Sequence, residues 1–144
     1  MEMMKVRLML SAPLETIYFL LNYFDGPITG VATYHGLPHY FDAEFDSARD
    51  SYSKNYTLTP LSEETMRIVF AAKEAWRMLN TSLKPSTTLK NDWQAKKLEM
   101  DRMIQHDCTI SPALRATGNF VRLLEVGTDE NSFSVTWVPL NSEP

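Results

Sequence analysis

Three side chains in the first third of the chain are of types that do acid–base or metal chemistry: Asp25, His35 and His39. A carboxylate and an imidazole act as a general acid–base couple if they meet in space and the pKa of at least one is displaced. Two imidazoles share a metal ion if their rings converge on it. His35 is predicted in a turn and His39 at the start of a strand, an arrangement that does not make the rings converge. The sequence therefore predicts neither a catalytic pair nor a metal site.

A structural role is the alternative for these residues, and the sequence favours it. Asp25 stands before Gly26 and Pro27, where a carboxylate commonly accepts backbone N–H groups and stabilises a turn. His39 shares a strand face with Phe41, which is typical of a histidine at the edge of a core whose ring nitrogen bonds a backbone carbonyl. We therefore expect no catalytic residue and no cofactor.

An acidic row follows along the next predicted strand and its loop. A calcium site needs about six to eight oxygen ligands, usually from a loop that curls around the ion. An extended strand spreads its carboxylates along its length instead, so we interpret the row as a solvated face that protects against edge-to-edge aggregation. Its members are Asp42, Glu44, Asp46 and Asp50.

The stretch 23–46 is better suited to recognition than to catalysis. It holds three of the five glycines and two of the eight prolines of the chain, so its turns should be sharp and rigid. All six tyrosines lie within the first 56 residues, and a tyrosine offers a flat apolar ring with a polar tip. The predicted binding face comprises Asp25, Gly26, Gly30, Tyr34, His35, Gly36, His39, Tyr40 and Tyr56.

Two kinds of partner fit such a face. The leading hypothesis is another protein, bound through the tyrosine-bearing face near the Asp-Gly-Pro turn. The alternative is a small molecule, such as a nucleotide or a sugar, that is bound or hydrolysed around Asp25, His35 and His39. Backbone amides near the three glycines of this stretch would then form an anion-binding nest, and tyrosines would stack on a ring of the ligand.

The composition limits the remaining classes of function. The net charge is −4 and the basic residues are scattered, so nucleic acid is not an expected partner. Cys108 is the single cysteine, which excludes an internal disulfide and fits a reducing compartment. No apolar run approaches the ~20 residues that a membrane helix needs. We therefore expect a cytoplasmic protein that does not bind membranes.

Hydrophobic periodicity predicts the elements that position these residues. Residues His39–Asp46 alternate strictly between two faces, which indicates a half-buried strand that forms a hairpin with its predecessor. The aromatic and β-branched residues of Thr16–Phe24 favour a strand buried on both faces, whereas Pro13 and Glu15 leave a short helix as the alternative. The predicted strands are Met4–Leu10, Thr16–Phe24, Ile28–Tyr34, His39–Asp46, Tyr52–Thr59, Phe120–Val126 and Ser132–Val138.

Two helices are predicted between the strands. Ser62 is a favourable N-cap for a helix over about Glu63–Leu79, whose apolar stripe includes Phe70 and Trp76. A second helix is predicted roughly over Leu89–His106. Strands, two helices and strands again indicate an α+β fold. We expect the whole chain to form a single domain in which a curled antiparallel sheet, made of an N-terminal meander and a C-terminal hairpin, packs against both helices.

The segment Phe24–Phe41 also resembles a family of small bacterial proteins for which no activity is established. The shared signature is Tyr/Phe-Asp-Gly-Pro, a glycine three residues on, and then Gly-x-Pro-His-x-Phe or Tyr. Weaker similarity continues through Tyr56–Leu61 and returns at Arg115–Phe120 and Val135–Val138. The resemblance implies a shared fold and no particular chemistry. The residues that it marks are Asp25, Gly26, Pro27, Gly30, Gly36, Pro38 and His39.

Overall fold

A computed structural model describes residues 13–123 and 130–140 of the chain. The strand predicted over 4–10 lies outside these residues. Within them the chain forms six β-strands, two α-helices and one short 3₁₀ helix. In chain order they are β1 (Ile17–Tyr23), β2 (Pro27–Tyr34), β3 (Leu37–Asp46), β4 (Ser51–Pro60), α1 (Glu63–Thr81), α2 (Thr87–Ile110), β5 (Leu114–Arg122), the 3₁₀ helix (Glu130–Ser132) and β6 (Phe133–Pro139).

The strands form one antiparallel sheet in the order β1-β2-β3-β4-β5-β6, so that neighbours in the sequence are neighbours in space. The α+β class, the N-terminal meander and the C-terminal hairpin are therefore confirmed. The segment that the sequence left open, 16–24, is a strand over most of its length. β5 begins at Leu114, well before the predicted Phe120, because its first residues pair with β4, from Leu58 back to Asn55.

The described residues divide into two compact units. The unit within Met1–Leu58 and Ala113–Pro144 contains almost all of the sheet, and the unit Thr59–Pro112 contains both helices. That the helices pack against the sheet, and that the chain is a single domain, stay predictions.

Four aromatic rings fill the concave interior of the sheet. The ring centroids of Phe41, Tyr56, Phe120 and Trp137 lie 5.4–5.7 Å apart in every pairing, which is the range of favourable tilted and edge-to-face contacts. Gly30 makes room for this aromatic cluster. A Cβ atom at Gly30 would lie 2.7 Å from the ring of Phe41, its partner on β3, so only glycine permits this approach.

The polar tips of the aromatic cluster bond to β2 and tie distant strands together. The Tyr56 hydroxyl donates to the carbonyl of Pro27 at 2.5 Å, and the indole N–H of Trp137 donates to the carbonyl of Thr33 at 3.0 Å. The edges of the sheet also meet, because Glu15, just before β1, forms a bridge with Val135 on β6. The sheet therefore curls until the residue before β1 is hydrogen-bonded to β6.

Both helices begin after a serine cap. Ser62 accepts the N–H of Thr65, and Ser86 accepts the N–H of Leu89, both at 3.1 Å, so each cap satisfies a donor of the first turn. The buried carboxylate of Asp107 accepts the N–H of Ser62 at 3.0 Å. Both predicted helices are confirmed, and α2 is longer than expected at both ends. In the described part of the chain, neither helix has the length and apolar character to cross a membrane.

The buried stripe of α1 is narrower than predicted. Phe70 and Trp76, expected on this stripe, are 48% and 40% exposed. Each residue turns a helix by about 100°, so Phe70 points away from the side on which its neighbour Val69 is buried. Trp76 pairs instead with Trp93, with 4.9 Å between the ring centroids. The buried residues of α1 are Thr65, Met66, Val69, Ala72 and Ala75.

Candidate functional site

The two turns of the predicted binding face lie at opposite ends of β2. The turn at 24–26 enters this strand and the turn at 35–36 leaves it. A strand rises about 3.3 Å per residue, so the eight residues of β2 separate the two turns by roughly 25 Å. His39 pairs with Ala32 near the second turn and does not reach Asp25. The couple of Asp25 and His39 is therefore not formed, and the hypothesis of a small-molecule site around Asp25, His35 and His39 stays a prediction.

The turn at 35–36 holds a carboxylate of the chain itself. His35 and Gly36 have φ angles of 53° and 78°, as in the type I′ turn of a two-residue hairpin. Their amides donate to the Glu15 carboxylate at 2.8 and 3.3 Å, and the Thr33 hydroxyl donates to it at 2.6 Å. The anion-binding nest expected near Gly36 therefore already contains an anion, since Glu15 occupies it.

Glu15 is ionised in this nest although it is buried. Burial acts to raise the pKa of Glu15, but the hydrogen bonds from Thr33, His35 and Gly36 and the nearby charge of His35 outweigh it, so the pKa lies below its ordinary value. Sequence reasoning missed this residue. No sequence pattern connects Glu15 with an amide 20 positions further on.

His39 has the structural role that the sequence favoured. It is 7% exposed, and its Nδ1 lies 2.9 Å from the carbonyl oxygen of Leu37. Because a carbonyl only accepts, Nδ1 carries the proton. The ring of Tyr34 lies 5.5 Å from that of His39 and 4.1 Å from that of His35. These rings stabilise the end of the β2–β3 hairpin and line neither of the cavities described below.

Gly30 and Tyr56 are buried, and their part in a binding face stays a prediction. Gly30 lies beneath the ring of Phe41. Tyr56 is 5% exposed because it stands in the middle of β4 and faces the interior. Tyr40 is half-buried and alternates with Phe41 on β3, so it points to the opposite face from the aromatic cluster.

The burial of Tyr56 predicts a loss of stability in alkali. Burial raises the pKa of Tyr56 from 10.0 to about 12, so the unfolded chain releases this proton first as the pH rises. The contribution of Tyr56 should be complete below about pH 10 and disappear towards pH 12. We expect Tyr56→Phe, and not Tyr52→Phe at the exposed end of β4, to remove this part of the decline. Urea unfolding measured from about pH 9 to pH 11 tests it, and equal declines in both variants would contradict it.

The turn at 24–26 borders an open cavity of about 520 Å³. The β1–β2 turn, the β3–β4 hairpin and the ends of β5 and β6 meet at this edge of the sheet. The wall is aromatic and accessible: Tyr23 is 37% exposed, Phe24 71%, Phe45 52% and Tyr52 47%. We name this space the turn cavity; it is lined by Tyr23, Phe24, Asp25, Gly26, Pro27, Ile28, Phe45, Asp50, Ser51, Tyr52, Ser53, Lys54, Tyr56, Gly118, Asn119, Phe120 and Phe133.

A hydrogen bond in the β3–β4 loop and a contact between two rings hold Phe45 and Tyr52 at the mouth of the turn cavity. The carboxylate of Asp46 accepts the N–H of Ala48 at 3.0 Å, which stabilises the hairpin loop. Phe45 and Tyr52 flank this loop and meet edge to face, with 5.1 Å between their centroids.

Asp25 acts differently from the prediction. Its backbone, with a φ of 55°, turns the chain, and within the described residues its carboxylate accepts no hydrogen bond.

The charged groups at the turn cavity are mostly acidic. Asp25, Asp50 and Lys54 line it, and in the described part of the chain neither carboxylate has a hydrogen-bond or ion-pair partner. A neighbouring cavity of about 500 Å³ shares part of the aromatic wall and adds Asp42. Partial desolvation raises the pKa of Asp42, although much of this residue is exposed.

Sequence reasoning missed most of the aromatic wall. The signal that could have found it is the position of each ring beside a turn. In a meander the first and third turns fall at the same edge of the sheet, so aromatic residues next to the β1–β2 and β3–β4 turns come together. The missed residues of the wall and mouth are Tyr23, Phe24, Phe45, Asp50, Tyr52 and Lys54.

Comparison with known proteins finds no match for this chain. No family model matches the chain, and neither a curated protein nor a solved structure shows significant similarity to it. The family resemblance of segment 24–41 therefore stays a prediction. Among residues 13–123 and 130–140, no group of three or more histidine, cysteine or acidic side chains is placed to hold a metal ion.

Proposed function

We propose that this protein binds a small organic ligand in the turn cavity. The observation that carries the proposal is a wall of four accessible aromatic rings around about 520 Å³ of space. Ligand sites are typically concave, roughly 300–1,000 Å³ in volume, and lined by aromatic side chains with a few polar groups. Aromatic residues grouped in this way at a surface mark a site of interaction more often than isolated ones do.

Rigid support of the wall favours the proposal. Phe45 and Tyr52 brace each other across the hairpin, and the ring of Tyr23 lies 5.9 Å from that of Phe133. Beneath them the hydroxyl of Tyr56 is bonded to the backbone of β2. A preformed aromatic site loses little side-chain entropy when it binds a ligand. We propose binding and not hydrolysis, because both histidines of the stretch 23–46 lie at the other end of β2.

A protein partner is the second candidate, and Phe24 favours it. This side chain is 71% exposed at the crest of the β1–β2 turn, where a partner surface would cover it. A protein that covers the crest should lose more affinity through Phe24→Ala than through Phe45→Ala. A small ligand within the cavity should show the reverse order, because Phe45 forms its side wall.

A fragment screen by thermal shift and NMR tests the first candidate. A fragment at 100 times its Kd stabilises the folded state by about 2.7 kcal/mol, which raises Tm by roughly 10 °C. Hits should bind about tenfold more weakly to Phe45→Ala, because one side of the wall is removed. Phe70→Ala is the matched control, since Phe70 on α1 is 48% exposed and Phe45 is 52% exposed.

Two results would contradict the proposal. A screen of chemically varied fragments without a hit would show that the turn cavity is not a ligand site. Hits that bind Phe45→Ala and Phe70→Ala equally well would place the binding elsewhere on the molecule.

A further inference from the structure

We infer that the ligand of the turn cavity is an organic cation, an amine or quaternary ammonium group with apolar substituents. This inference rests on the proposed function and specifies the class of its ligand. It follows from the aromatic wall, from the sign of the charges around it and from the fit of other ligand classes.

The aromatic wall favours positive charge. The faces of aromatic rings carry partial negative charge, and ammonium groups bind over them. Phe45 and Tyr52 have an interplanar angle of 77°, so their faces point in different directions and a cation can bind over either ring. The chain itself makes such a contact at this edge of the sheet, where the guanidinium of Arg122 lies 5.5 Å from the ring centroid of Phe133.

The charges around the turn cavity also favour a cation. Asp25 and Asp50 line it, and Lys54 is the only cationic residue among its lining residues. The neighbouring cavity adds the carboxylate of Asp42. Lys54 in the lining and Arg122 over the ring of Phe133 are cations at this edge, but among the described residues neither forms an ion pair with Asp25 or Asp50. A bound cation would supply these carboxylates with a close counter-charge. It would also lower the pKa of Asp42, which partial desolvation now raises.

Other charged ligands fit this space less well. A metal ion needs lone-pair donors in converging positions, whereas the wall consists of carbon rings and the described residues form no group of three ligands. An anion would meet the carboxylates of Asp25 and Asp50 at the mouth. The amide nest that suits an anion, at His35 and Gly36, already binds Glu15.

The charge of the ligand is tested with choline and its neutral isostere 3,3-dimethylbutan-1-ol. These probes have the same shape and differ in one positive charge. In NMR titrations of the full chain we expect choline to bind about tenfold more tightly, because only the cation gains from ring faces and carboxylates. Phe45→Ala should weaken the binding of choline, and Phe70→Ala should leave it unchanged.

The carboxylates are tested by Asp50→Asn with Glu99→Gln as its control. Each variant removes one negative charge, and Glu99 on α2 lines neither cavity. Asp50→Asn should reduce the affinity for choline about threefold or more and leave that for the isostere unchanged. Equal effects of the two variants would contradict a direct contact between Asp50 and the cation.

The outcomes separate this inference from the proposed function. Equal affinity of both probes, with both lost in Phe45→Ala, overturns the cation and leaves the ligand site standing. Failure of both probes to bind also overturns the cation, and the fragment screen then decides the proposed function by itself. If choline binds, a peptide with trimethyllysine identifies the source, because tighter binding of the peptide indicates a protein side chain and weaker binding a free amine.

Discussion

Replacing Phe41 with alanine should lower the free energy of unfolding by about 3–5 kcal/mol. Phe41 is fully buried, and its ring centroid lies 5.6–5.7 Å from those of Tyr56, Phe120 and Trp137. Truncation removes contacts from all three rings. It also leaves a void over Gly30, which has no side chain to fill it. Urea unfolding with linear extrapolation measures the loss.

Phe45→Ala is the matched control for this prediction, because it removes the same side chain from the same strand. Phe45 is 52% exposed and contacts Tyr52 at the hairpin, so its loss should cost at most about 1 kcal/mol. Similar losses in the two variants would mean that the aromatic cluster does not fill the sheet. The turn cavity would then lack a rigid floor, since Tyr56 and Phe120 line it and both contact Phe41.

Strand β3 shows how far alternation predicts burial. His39, Phe41 and Ala43 are buried, as their shared face predicts. Phe45 belongs to the same face and is nevertheless half exposed, because it stands beside the hairpin loop, where the ring that it contacts, Tyr52, is itself 47% exposed. Periodicity therefore predicts which face a residue belongs to, and its distance from the turn decides whether that face is covered.

The same argument explains why Tyr52 lies at the mouth of the turn cavity and Tyr56 at its floor. Tyr52 and Tyr56 share one face of β4, but Tyr56 stands in mid-strand and is 5% exposed, whereas Tyr52 stands at the hairpin and is 47% exposed. The sequence prediction favoured tyrosines for their flat ring and polar tip. Antiparallel pairing instead brings Tyr52 to the turn cavity, and this follows only once the strand order is known.

The tight hairpin turn at 35–36 was predictable from the sequence, but the residue that bonds to its amides was not. Two residues between Tyr34 and Leu37, one of them glycine, indicate a tight hairpin, and the structure has one there. The carboxylate that fills this turn comes from Glu15, on a segment that also bridges β6. A contact of this kind depends on how the sheet curls, which no local pattern encodes.

Replacing Glu15 with alanine is expected to cost about 1–3 kcal/mol of unfolding free energy, because it leaves donors without an acceptor. The affected groups are the buried hydroxyl of Thr33 and the amides of His35 and Gly36. Glu15→Gln keeps one carbonyl acceptor at the same place, so it should cost less than alanine. Urea unfolding at neutral pH compares the two variants with the parent.

The loss of stability at acid pH measures the contribution of the Glu15 charge. Its pKa in the folded chain lies below the value of 4.5 that applies without the nest, so the unfolded chain takes up the proton first as the pH falls. The stabilisation from Glu15 is therefore complete above about pH 4.5 and is lost as the pH falls through the folded pKa. Glu15→Gln should lack this part of the acid destabilisation.

Glu44→Gln is the control, because a hydrogen bond and the charge of Arg115 lower the pKa of Glu44 as well. That ion pair is exposed, with 53% of the Arg115 side chain and 31% of the Glu44 side chain accessible, so its contribution to stability is small. If Glu15→Gln keeps the acid profile of the parent, the carboxylate is not the anion that the nest binds. The amides of His35 and Gly36 would then be free for an external anion.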